Sequence, residues 1–200
     1  LAEALVALDA SKVAKEALNL KIRNILWYAY TIQLDIDNDM LDDEEIFDII
    51  DYEKTDITPI LNFYTTLDPL NPDWIPYLKH SILTYINSKN YLHNFEKQNP
   101  QLNNYLQNIA IYFIWRYFLK ATFDKDVLSK VEFMAISIAL IKILFFCQWL
   151  ENKTLTLEDC TEIVKNFSKE IEYSEDNLQK IENIFYDSTD FSINNIIGIF

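Results

Sequence analysis

Ile136-Ser137-Ile138-Ala139-Leu140-Ile141-Lys142-Ile143-Leu144-Phe145-Phe146-Cys147-Gln148-Trp149-Leu150 is apolar nearly all round when wound as a helix. Such a helix lies in a core or in a bilayer, because it keeps no polar stripe for water. From Met134 to Leu150 the run has 17 residues with Lys142 at its centre. That is short for a span of about 20 residues, and a lysine at mid-depth is costly. The stretch is therefore read as a core helix, about Lys125 to Glu151, with no membrane span. A second long helix, about Gln101 to Ala121, carries Ile109-Ala110-Ile111-Tyr112-Phe113-Ile114-Trp115. Together they predict an all-α fold, a compact multi-helix bundle with two long apolar central helices.

Composition agrees. Half of the 200 residues are hydrophobic, enough for a proper core, and only one is glycine. Tight turns between strands draw on glycine for positive φ, as do phosphate-cradling loops. One glycine therefore excludes a glycine-rich nucleotide loop and argues against β or α/β architecture.

Outward from the two central helices the chain reads as shorter helices. One spans about Asn19 to Leu34, with Ile22, Ile25, Leu26, Ala29, Ile32 and Gln33 on a buried face. Another starts near Asp42, and Pro59 sits in the first turn of a third. Pro69, Pro72 and Pro76 mark a connection before a helix through Tyr77, Leu78, Ile82, Tyr85 and Ile86, and a short piece ends near Gln98. Thr156-Leu157-Glu158-Asp159 has the form of a capping box, while Ser174 and Ser192 cap two more helices. Leu1 to Leu18 holds six of the eleven alanines and reads as an Ala-rich helix, a linker or fusion, ahead of a single helical domain over 19–200. Residue 1 is Leu and no secretory leader pattern is present, so the chain is expected to be a cytoplasmic fragment.

The formal charge is −14, concentrated in two acidic runs, Asp35 to Asp56 and Glu151 to Asp190. A phosphate backbone needs a basic stripe, so nucleic acid is excluded as a partner. An acidic field suits a cationic partner or simply solubility. Two cysteines, Cys147 and Cys160, and two histidines, His80 and His93, cannot build a zinc finger or a four-cysteine cluster. Cys147 reads as a buried small hydrophobe and His93 as a surface or half-buried polar residue. No catalytic template is present: there is no nucleophile beside a histidine, no H-E-x-x-H and no G-x-G loop.

Arg116 stands out as the lone charge between Leu102 and Leu119, set between Trp115 and Tyr117. A guanidinium in apolar surroundings needs a carboxylate or a stacked aromatic ring. Glu170 and Glu172, within Ser168-Lys169-Glu170-Ile171-Glu172-Tyr173-Ser174, are the carboxylates expected to meet it. The pair either locks two helices together or lines a ligand or substrate groove with Tyr173.

Several stretches carry a likeness to a known family. They are Tyr112-Phe113-Ile114-Trp115-Arg116-Tyr117-Phe118-Leu119-Lys120-Ala121, Asp126-Val127-Leu128-Ser129-Lys130-Val131, Trp149-Leu150-Glu151-Asn152 with Leu157-Glu158-Asp159, Ser168 through Asn177, and Phe191-Ser192-Ile193 through Ile197. In these the chain resembles the C-terminal region of the bacterial flagellin lysine-N-methylase family. The resemblance implies a parent enzyme that moves a methyl group from S-adenosylmethionine to lysine amines of flagellin. It also implies a cysteine-rich N-terminal part that looks like an iron–sulfur site and is not among these residues. On that basis this chain alone is expected to bind neither cofactor and to be inactive. It would supply scaffold and part of a substrate or cofactor groove near Arg116, Glu170, Glu172 and Tyr173. The alternative is a non-enzymatic acidic helical interaction module.

Overall fold

A computed structural model describes residues 18–37 and 53–200. The helices expected over 1–18 and near Asp42 lie outside the described residues. Among the described residues there is no strand, and the chain is all-α. The α-helices are α1 (Leu18–Asp37), α2 (Thr58–Tyr64), α3 (Trp74–Ser88), α4 (Leu92–Gln98), α5 (Leu102–Tyr117), α6 (Ala121–Asp124), α7 (Val127–Asn152), α8 (Leu157–Phe167), α9 (Glu175–Asp187) and α10 (Ile193–Ile199). Short 3₁₀ turns at Lys89–Tyr91, Phe118–Lys120 and Thr189–Phe191 and a π-helical turn at Ser168–Glu172 join some of them. The chain divides into two compact units.

The first unit comprises the described residues up to Thr55, Asn103–Ile136 and Phe191–Phe200. Ile22, Ile25, Leu26 and Ala29 recur at helical spacing and bury one face of α1. Helix α10 packs against α1, and Asn19 Nδ2 donates to the Phe200 carbonyl at 3.0 Å. Phe113, Tyr117 and Phe133 form an edge-to-face and stacked cluster with centroids 5.2–6.0 Å apart. The N-terminus of α7 is capped at long range. Gln33 Oε1 accepts from the Val127 and Leu128 amides at 2.8 and 3.3 Å, while its Nε2 donates to the Lys125 carbonyl at 3.1 Å. The chain's one glycine, Gly198, lies where a Cβ would collide with the Glu53 carbonyl and the Thr55 hydroxyl. Its own carbonyl accepts the Thr55 amide at 3.1 Å, so close backbone approach explains the residue.

The second unit comprises Asp56–Leu102 and Ser137–Asp190. Just ahead of α2, Asp56 Oδ1 accepts from the Thr58 amide and hydroxyl at 3.1 and 2.8 Å, and the Thr58 hydroxyl chiefly holds its carboxyl below the usual range. Pro59 occupies the first turn of α2, as expected. Pro76, expected in the connection, instead sits in the first turn of α3, where a missing N–H costs nothing. The Thr156–Asp159 capping box is complete, and Ser174 and Ser192 both accept a hydrogen bond from the third residue on. Phe146 is wholly buried, edge-on to Phe95 and Tyr85 and stacked on Trp149.

Helix α7 meets the length and apolarity of a membrane span, yet 83% of its most apolar window is buried inside the protein. Its mid-helix Lys142 donates to Glu96 at 2.7 Å, which satisfies the ammonium. Helix α5 differs from the expectation of a helix buried all round. Only Leu102, Leu106, Ala110, Phe113, Ile114 and Tyr117 are buried, at i, i+4, i+8, i+11 spacing, while Tyr112 and Trp115 are exposed. Apolar content alone does not fix how many faces a helix covers.

Candidate functional site

Three of the four sequence-predicted site residues share one turn. Helix α8 does not stop at Phe167 but widens into the π-helical turn, closed by the Tyr173 amide on the Ser168 carbonyl at 3.2 Å. Wide turns of this kind are frequent at functional sites because they re-aim side chains. Glu170 and Glu172 are buried, and Tyr173 is 70% exposed.

The Glu170 carboxylate has a defined role. Its Oε2 accepts the amides of Leu70 and Asn71 at 2.8 and 3.1 Å. Asn177, wholly buried, completes the junction. Its Oδ1 accepts the Asp68 amide at 3.0 Å, and its Nδ2 donates to the Asp68 carbonyl at 2.8 Å and the Glu170 carbonyl at 3.1 Å. Lys180 adds a bridge to the Asp68 carboxylate. Glu170 and Asn177 thus supply hydrogen-bond partners to the backbone of residues 68–71, which no helix or strand provides.

Arg116 belongs to the first unit, in the last turn of α5, and its side chain is exposed rather than buried. Its guanidinium lies 5.9 Å from the Tyr112 ring centroid and 5.7 Å from that of Tyr117, and its Nε donates to the Tyr117 hydroxyl at 3.3 Å. An aromatic partner, one of the two kinds expected, is present. The exposure corrects the energetic expectation: Arg116 is not a buried charge whose loss costs several kcal/mol. Tyr112, Trp115, Leu119 and Phe123 leave a stripe of exposed apolar side chains along the same segment, Phe123 being 90% exposed.

A groove of ≈ 710 Å³ lies in the second unit, and sequence reasoning did not find it. His80 from α3, Tyr91 from the 3₁₀ turn, and Trp149, Leu150, Glu151 and Lys153 at the end of α7 line it. His80 Nε2 lies 3.3 Å from Glu151 Oε1. Lys153 adopts a left-handed φ of 59°, and its Nζ donates to the Leu150 carbonyl at 2.7 Å. Sequence spacing gives no sign that residues 71 apart meet.

Burial favours the protonated thiol at both cysteines. Burial pushes the Cys147 thiol up to about 12, and its Sγ donates to the Ser81 carbonyl at 3.2 Å; burial pushes Cys160 up to about 11. Thiolates are what ligate and attack, and two protonated thiols do not fit an iron–sulfur cluster, which takes four. Among the described residues no group of three or more His, Cys, Asp or Glu side chains could hold a metal ion. The one glycine is used in packing, so no glycine-rich loop for a cofactor is present either.

The family model of the FliB lysine N-methylase C-terminal domain matches residues 6–199. The chain belongs to this family. No curated protein and no solved structure matches it. As a FliB C-terminal domain, the chain takes its context from a lysine methylase, and the helical stretches that suggested the family lie in both units.

Proposed function

We propose that this domain is the scaffold and protein-substrate part of an S-adenosylmethionine-dependent methylase acting on flagellin lysines in the bacterial cytoplasm. The observation that carries the proposal is the match to the FliB lysine N-methylase C-terminal domain over nearly the whole chain. The local chemistry supports the division of labour. The thiols are buried and protonated, Glu170 is committed to backbone amides, and the large exposed side chains Trp115, Leu119, Phe123 and Tyr173 offer surface to a protein. S-adenosylmethionine and the iron–sulfur cluster are held by the rest of the parent enzyme.

Methyl transfer needs the lysine amine neutral, which desolvation or a nearby carboxylate assists. Within this domain Arg116, Glu170, Glu172 and Tyr173 bound the regions through which substrate is held. Glu170 acts through the loop it pins, and Arg116 and Tyr173 act as exposed contact groups. The family match favours this reading over a non-enzymatic interaction module. The test is incubation of the isolated chain with flagellin and labelled S-adenosylmethionine. The expected result is flagellin binding without label transfer, and robust transfer by the chain alone would overturn the division.

A further inference from the structure

Tyr112, Trp115, Leu119 and Phe123 recur every three or four positions from α5 into α6, and they are 43, 57, 57 and 90% exposed. Single exposed apolar side chains are ordinary, but a row of large ones marks a contact surface. The charge beside the row has one sign. From Leu102 to Phe123 the only charged residues are Arg116 and Lys120, in a chain of formal charge −14. Each follows a member of the row by one position and the two are four apart, so both stand along one flank of it. Aromatic rings lie against them: Arg116 beside Tyr112 and Tyr117, and Lys120 Nζ 5.2 Å from the Tyr117 ring centroid. The first acid beyond the row, Asp124, is turned to Lys130 at 3.0 Å and to the Asp126 amide at 3.0 Å. Lys125 follows it in a left-handed turn that ends α6.

We propose that this row is the docking surface for an acidic amphipathic helix of a partner protein. The inference rests on the reading of this surface as a protein contact and adds the chemistry of what it contacts. Apolar side chains at three- and four-residue spacing on the partner helix lie against Trp115, Leu119 and Phe123, while carboxylates along one edge meet Arg116 and Lys120. Apolar burial supplies the affinity, and the charges fix the register. A second copy of the chain seated face to face would set Arg116 and Lys120 against their own counterparts, which like charge disfavours. An anionic bilayer would draw on the same rings and cations, but it repels a chain of net charge −14.

The experiment titrates the isotope-labelled chain with a designed helical peptide of about four turns, leucine at every third or fourth position and glutamate between, followed by NMR. The control peptide carries lysine in place of each glutamate. Shifts are expected at the Trp115 indole and the amides of Leu119, Lys120 and Phe123, with the glutamate peptide bound about tenfold tighter than the control. Phe123→Ala weakens binding about tenfold by removing a ring the partner buries, and Lys120→Glu about fivefold, less at high salt. Both side chains are exposed, so both variants melt with the wild type. Equal binding of the two peptides, or shifts confined to other surfaces, would overturn the proposal. So would self-association that Phe123→Ala abolishes, which assigns the row to a second copy. Stronger shifts at the row with phosphatidylglycerol vesicles than with the peptide assign it to lipid and overturn it too. The parent enzyme is assayed in parallel on flagellin. A parent that methylates while the row fails the titration removes this inference alone; a parent that methylates no lysine, with the peptide still bound, removes the functional reading and leaves the surface standing.

Discussion

Replacing Phe146 with alanine is expected to lower the unfolding free energy by about 4 kcal/mol, the largest effect of any single change considered. The side chain is wholly buried between Phe95, Tyr85 and Trp149, with ring centroids 5.5, 6.4 and 6.2 Å away. Truncation removes the transfer free energy of a phenyl ring and leaves a cavity. It also forfeits ring contacts worth about 0.5–1.5 kcal/mol beyond area. Surrounding aromatics are stiff and collapse poorly into the space, which places the cost in the upper part of the usual ~3–5 kcal/mol range. Phe123→Ala is the matching control: the same atoms are lost from a ring 90% exposed, so the change should stay within about 0.5 kcal/mol. Urea unfolding of both variants gives the comparison, and equal costs would contradict the core described for the second unit.

Glu170→Ala should cost about 2–3 kcal/mol, by a different route. The carboxylate oxygen serves two backbone amides that no helix or sheet satisfies, and a stranded donor costs about 1–3 kcal/mol. Leu70 and Asn71 are exposed as residues, so water recovers part of the loss. Glu170→Gln keeps an oxygen acceptor and should cost about 1 kcal/mol or less. A side chain that served only a ligand would show no such difference, and melting curves of the two variants would then coincide.

What the sequence made legible was local. Ser174 and Ser192 were readable as caps because the capping oxygen bonds an amide three residues away, and Thr156 with Asp159 because the box is reciprocal. The burial of α7 was readable because no polar face interrupts it. What the sequence did not show was pairing across distance. Gln33 caps α7 from 94 residues away, and Glu170 reaches amides 99 and 100 residues back. No local pattern encodes either bond. The π-helical turn was visible only as an acidic segment, since one extra residue per turn leaves no signature in side-chain type. The exposure of Arg116 was hidden for a related reason: apolar neighbours in sequence said nothing about which face of α5 stays open, and its guanidinium lies between exposed Tyr112 and buried Tyr117.

The part proposed for this domain in lysine methylation is tested most directly on flagellin itself. Mass spectrometry of flagellin recovered after reaction with the parent enzyme, with and without residues 1–200, counts methyl-lysines directly. Loss of methylation without this domain, restored when the separate chain is added back and absent with the chain alone, is the predicted result. Full methylation by a parent lacking the domain would contradict it.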